Sequence, residues 1–194
     1  MINLRNVNIV FSDVLIKYKD ITFENGEITF ISGPNGSGKT TLLKAIAGII
    51  DYKGEIVRKG FVTYVSQKPV LFSKTVYENI IYPLQIRKLD ISEYEDKINS
   101  LVKLFDLEKI LNKKAKACSS GEQMKTSILR SIIFEPDVLL LDEPTTALDI
   151  KSIEVLTKLL REIKKDMTII ISSHDRLFIE ELQDNLYELG DPYV

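Results

Sequence analysis

Eight residues, Gly33-Pro34-Asn35-Gly36-Ser37-Gly38-Lys39-Thr40, set three glycines, a lysine and a hydroxyl in the spacing GxxxxGK(S/T). Glycines at 33, 36 and 38 let the backbone turn where side chains would clash. Successive N–H groups can then converge on phosphate oxygens at the positive end of a helix. Lys39 would reach the β- and γ-phosphates, and Thr40 would offer its hydroxyl to Mg²⁺. Further along, Leu139-Leu140-Leu141-Asp142-Glu143-Pro144 ends an apolar run in two carboxylates. Asp142 would hold the cation, and Glu143 would orient and deprotonate an attacking water. Alone, the pair reads as the polarised end of a buried strand before a turn at Pro144. Beside a phosphate-binding loop at the mouth of the same sheet, the catalytic reading is favoured.

The elements that must position these groups alternate along the chain. Ile28 to Ser32 is a continuous apolar strand before the loop, and Lys39 to Ile50 reads as the helix after it, ended by a turn at Asp51 to Gly54. Asn3 to Val10 and Leu15 to Phe23 read as strands leading to the turn Glu24-Asn25-Gly26-Glu27, with short strands at Glu55 to Arg58 and Phe61 to Ser66. From Thr75 to Glu135 the strand signal nearly vanishes. There Ile91 to Phe105 has amphipathic helical spacing, with Ser92 and Glu95 as a capping box at its start. Ile150 to Lys165 returns to helical spacing, and Thr168 to Ser172 is another buried strand. Strands followed by helices predict an α/β fold with a mainly parallel sheet covered on both faces.

Composition narrows the function classes. A chain of 194 residues can bury a substantial single core. The net charge of −2 gives no bulk electrostatic reason for a nucleic-acid partner. One cysteine, Cys118, excludes an internal disulfide framework and reads as a small packing residue. No apolar stretch approaches a spanning helix and the N-terminus lacks a signal-peptide core, so the chain is expected to be soluble by itself.

Order and spacing of further residues resemble the ATP-binding cassette ATPases over nearly the whole chain. Gly33 to Thr40 looks like that family's Walker A motif, Leu139 to Glu143 like its Walker B with the glutamate, and Thr145 to Asp149 like its D-loop. Gln67 stands at the Q-loop glutamine and His174 at the switch histidine. Cys118-Ser119-Ser120-Gly121-Glu122-Gln123 occupies the place of the LSGGQ signature. The resemblance implies a P-loop NTPase core with an N-terminal antiparallel β part over residues 1–72 and 136–194, and an inserted α-helical subdomain, 73–135, carrying the signature. It implies ATP and Mg²⁺ as ligands. Gly33, Asn35, Gly36, Ser37, Gly38, Lys39, Thr40 and Thr41 would surround the phosphates, and Phe11 would stack on adenine. Thr40, Gln67 and Asp142 would hold the metal. Glu143, His174, Gln67 and Lys39 would carry catalysis.

The family's site is completed by a second subunit, here through Ser119, Ser120, Gly121, Glu122 and Asp149, in a head-to-tail dimer of identical or related chains. The signature departs from the pattern: Cys118 replaces leucine, Ser120 the first of two glycines, and Glu122 glutamine. A Cβ at 120 would crowd the phosphate or demand backbone angles that serine dislikes, at about 1 kcal/mol if φ is positive; in the milder reading serine adds a hydroxyl donor in a tolerated conformation. The implied function is to power transport through separate transmembrane permease subunits, with a lean to import and a possible solute-binding protein, at the cytoplasmic face of the membrane. The stretch Gln67 to Tyr82 would receive a coupling helix. The alternatives are a soluble cassette ATPase acting on DNA or ribosomes, or an interaction module that binds ATP and barely hydrolyses it.

Overall fold

The computed structural model describes residues 1–11 and 14–190, the side chains of Phe11 and Val14 excepted. Five strands form the central sheet in the order β6-β7-β8-β4-β9: β4 (Ile28–Ser32), β6 (Val62–Val65), β7 (Val138–Asp142), β8 (Thr168–Ser172) and β9 (Asn185–Glu188). Every pairing in it is parallel. The continuous apolar runs explain why β4, β7 and β8 lie inside. Successive side chains leave opposite faces, and both faces are covered. Phe30, Leu139, Leu141, Ile169 and Ile171 enter one core, while Ile31, Val138, Leu140 and Ile170 enter the other.

The second core lies against an antiparallel sheet made of β1 (Ile2–Phe11), β2 (Val14–Lys17), β3 (Ile21–Phe23) and β5 (Lys53–Arg58). The predicted strand Leu15 to Phe23 is interrupted between Lys17 and Ile21, opposite Asn6 at φ 51°, but both parts keep one register on β1, with Lys17 opposite Asn8 and Ile21 opposite Leu4. The Tyr18 N–H crosses to the Val7 carbonyl, and its hydroxyl donates to the Gly38 carbonyl. That bond ties the small sheet to the phosphate loop.

The loop leads into α1 (Lys39–Ile46), which stops short of the predicted Ile50 because Gly48 turns left-handed at φ 73°. Between β6 and β7 the described elements are helical: α2 (Val76–Ile86), α3 (Glu95–Leu104) and α4 (Ser120–Ile132), with short 3-10 turns. Ile91–Tyr94 is one of those turns, capped by Asp90, whose side chain accepts from the Ser92 N–H. The expected Ser92/Glu95 capping box is thus not formed, because the aspartate two residues earlier captures the free N–H first. Capping boxes stand instead at Thr75/Glu78 on α2 and at Ser119/Glu122 on α4. After β7 come α5 (Ile150–Ile163) and α6 (Arg176–Leu182). β9 was absent from the sequence reading. It is a polar edge strand that buries only Tyr187.

Candidate functional site

The carboxyl ends of the parallel strands gather the chemistry. The phosphate loop leaves β4, Asp142 ends β7, Ser172 ends β8, and Gln67 follows β6. In the loop, Gly36 has φ 81° and a Cβ there would meet open space, so only backbone conformation demands glycine. Gly38 caps α1 at φ 95°, and a Cβ would come within 2.6 Å of the Tyr18 hydroxyl. Pro34, Asn35 and Gly36 are exposed, Thr40 and Thr41 half-buried, and Ser37 is buried with its hydroxyl unpartnered among the described residues.

Lys39 is buried, and its ammonium donates to the carbonyls of Gly33 at 2.8 Å and Pro34 at 3.0 Å. Burial pushes its pKa below the ordinary lysine range, against the pull of Glu143 and Asp142. Asp142 is 2% exposed, and three hydroxyls converge on it. Thr40 Oγ1 and Ser172 Oγ donate to Oδ1 at 3.0 and 2.6 Å, and the Tyr64 hydroxyl donates to Oδ2 at 2.9 Å. Burial and the neighbouring carboxylate push the Tyr64 phenol well above the usual tyrosine range, keeping it a donor.

Glu143 is the residue of the site whose backbone is strained: its φ is 49°, in the left-handed region. The fold holds it there by a fork of bonds from its N–H to the Ser172 carbonyl and hydroxyl. Its Oε2 accepts from the His174 N–H at 3.2 Å, and His174 Nε2 lies 3.4 Å from Oε1. Oε1 is buried without a hydrogen-bond partner among the described residues. His174 is exposed, and the cap of α6 is Asp175.

Lys39, Thr40, Asp142, Glu143 and His174 are thus brought together within one chain. Gln67 is exposed and joins Thr40, Tyr64, Arg130 and Asp142 in lining a cleft of about 560 Å³. The Phe11 side chain lies outside the described residues. No described hydrogen bond or ion pair links Ser119–Glu122 to the loop. Ser119 instead caps α4, accepting from the Glu122 N–H at 3.3 Å, while Glu122 Oε2 accepts from the Ser119 N–H at 2.7 Å. Ser120 is the first residue of α4 and is absent from the positive-φ positions, so of the two readings the backbone takes the milder, a serine in a tolerated conformation. Gly121 is the tight position: a Cβ would sit 2.9 Å from the Ala147 carbonyl oxygen. Asp149 caps α5 through the Ser152 N–H, exposed to solvent. Cys118 is buried in the core, as its packing reading expects.

The donor set suits a small hard cation. A hydroxyl and one carboxylate oxygen, 3.0 Å apart at the lip of the cleft, are oxygen ligands few enough to leave room for phosphate oxygens and water. Sequence reasoning missed Tyr64 and Ser172. Their signal was topological: Ser172 is the register partner of Asp142, and Tyr64 sits on the strand beside β7.

A family model described as ABC transporter matches residues 16–146. The chain belongs to the ABC transporter family. As a member it is an ATP-binding, ATP-hydrolysing P-loop enzyme. The tungstate uptake system ATP-binding protein TupC of Peptoclostridium acidaminophilum is 36% identical over 183 residues, covering 89% of this chain and 86% of that protein. The molybdate/tungstate import ATP-binding protein WtpC of Methanocaldococcus jannaschii is 35% identical over 189 residues. That match covers 90% of this chain, which spans 63% of the relative's length. A solved ATP-binding subunit of an ABC transporter shares the fold at a TM-score of 0.89 with 26% identity, over 97% of this chain and 85% of the other.

Proposed function

We propose that this ABC ATPase powers uptake of a solute by Mg²⁺-dependent ATP hydrolysis, acting as a dimer on separate transmembrane permease subunits at the cytoplasmic membrane face. The observation that carries the catalytic part is the convergence of Lys39, Thr40, Asp142, Glu143 and His174 at the strand ends. Lys39 would exchange its two carbonyl partners for phosphate oxygens, and the loop N–H groups would complete the grip. Thr40, Asp142 and Gln67 would hold Mg²⁺, which when bound neutralises charge on the phosphate oxygens. Glu143, with one carboxylate oxygen free of hydrogen bonds, takes the proton of the attacking water. The backbone N–H of His174 fixes that carboxylate, and the His174 imidazole would contact the γ-phosphate of a bound nucleotide.

The transport part draws on the named import relatives and on an open apolar groove of about 260 Å³ beside the cleft. Val70, Phe72 and Ile86 line it and are exposed. Its far wall is stiffened by Arg87, whose guanidinium lies 3.7 Å from the Phe134 ring centroid. A permease helix with an apolar face fits such a groove. Among the described residues no helix is long and apolar enough to cross a membrane. The dimer reading rests on the separation of Ser119–Glu122 from the loop of the same chain. A second subunit would bring that helix end to the phosphates, and a solute-binding protein would deliver cargo to the permease.

The test is Glu143→Gln. We expect turnover to fall by roughly 10²- to 10⁴-fold with ATP affinity retained and an ATP-dependent dimer accumulating, read by phosphate release and by size-exclusion chromatography. Hydrolysis at the parent rate would remove Glu143 from its role.

A further inference from the structure

The Asp142 carboxylate is held on both oxygens, by different parts of the fold. On Oδ1 the donors are Thr40 from the start of α1 and Ser172 from the end of β8. On Oδ2 the donor is Tyr64, reaching across from β6. A carboxylate turns easily about its last side-chain bond, which has no sharp staggered minima. Two donors on Oδ1 anchor one oxygen, and the phenol on Oδ2 fixes the plane. Tyr64 is not itself among the oxygen donors beside Thr40, so its bond acts on the orientation of the carboxylate alone. Tyr64 also lines both the cleft and the apolar groove. Of the residues common to those two cavities, Tyr64, Val70, Ser127 and Arg130, it is the one whose side chain bonds Asp142.

We propose that Tyr64 is a positioning residue for the cation site, its hydroxyl holding the Asp142 carboxylate so that Oδ1 is presented beside Thr40 Oγ1. The inference rests on the reading of Thr40 and Asp142 as cation ligands. Outer partners of metal ligands commonly control affinity by about 10- to 100-fold, and the phenol bonds Oδ2 of the buried Asp142 side chain at 2.9 Å.

The test uses the full chain and Mn²⁺ as the probe, titrated in the presence of a saturating non-hydrolysable ATP analogue, with free Mn²⁺ read by electron paramagnetic resonance. Tyr64→Phe keeps the ring in its wall and removes only the hydroxyl. We expect it to weaken Mn²⁺ by roughly 10-fold while analogue affinity measured in chelator stays at the parent value. The Mg²⁺ concentration for half-maximal hydrolysis should rise, with kcat recovered at saturating Mg²⁺. A purely structural role would lower the melting temperature and leave the Mn²⁺ titration, run well below the melt, unmoved. Asp142→Asn separates the two levels. If it loses Mn²⁺ while Tyr64→Phe binds within twofold of the parent, the positioning role fails and the cation reading stands. If Asp142→Asn binds Mn²⁺ like the parent, the cation reading falls and the inference with it. Should Tyr64→Phe fold poorly, Ser172→Ala, which strips a donor from the other oxygen, supplies the comparison: equal Mn²⁺ affinity in that variant and the parent would overturn the idea that hydroxyls on Asp142 set the site.

Discussion

The N-terminus of α1 has glycine as its cap, no side-chain acceptor among the described residues and no acidic residue in its first turn, whereas the N-terminus of α4 is closed by Ser119 and Glu122, each bonding the other's backbone N–H. Free N–H groups and an uncompensated dipole make the first end a receptor for an anion. At the second end the protein's own side chains take the N–H groups of Ser119 and Glu122 and place a carboxylate where the dipole is positive. That carboxylate also stands 3.8 Å from the Lys113 ammonium. The contrast separates two tasks. The α1 end is left open, as the proposed phosphate site requires, and the α4 end is capped by its own side chains, keeping the Ser119 hydroxyl proton as a donor to spare.

Three substitutions sharpen or break that contrast. Lys39→Ala acts on the open end and should have the largest effect. ATP affinity is expected to fall roughly 10- to 100-fold, the worth of charge-assisted bonds to phosphate, in a calorimetric titration. An unchanged affinity would deny that the α1 end is a receptor. Ser119→Ala acts on the self-capped end and should cost about 1 kcal/mol of stability, seen in urea unfolding, while monomer ATP affinity stays at the parent value. A loss of monomer affinity instead would mean that the two ends share one site within a chain.

The smallest effect is a pH dependence at Glu122. The Ser119 N–H holds its carboxyl below the usual glutamate range. Its stabilisation is therefore present above the ordinary value of about 4.3 and lost as pH falls through the lowered one. Glu122→Gln keeps the capping bond without the charge. The parent's melting temperature should drop relative to this variant on acidification below about pH 4. Parallel melting curves across that window would show that the charge plays no part.

What could be read from the residues depended on how local the cause was. Ile28–Ser32 and Thr168–Ser172 were legible because strands buried on both faces must be apolar at every position. The phosphate loop was legible because its glycines answer to backbone conformation within a few residues. The break after Lys17 was not, since it stands opposite Asn6 of β1, left-handed at φ 51°, whose N–H bonds the Asp20 side chain. β9 has one buried apolar side chain and becomes a strand only because β4 offers an edge. At the site, Tyr64 and Ser172 carry no motif, and only the parallel register brings them to Asp142. At Ser120 the residues left two readings open, strain if φ were positive or a tolerated serine, and the backbone takes the second. Strain lies at Glu143 instead, where no glycine was missing from the pattern.

The left-handed backbone at Glu143 has a bearing on how such a chain can change over generations. At position 143 an achiral residue would sit more comfortably, and losing a buried, incompletely bonded acid would relax the interior further. With Glu143 in the proposed role of base, drift toward sturdier variants pulls directly against turnover at this one codon. A screen that rewards only heat resistance is liable to deliver proteins that still capture nucleotide and have stopped consuming it.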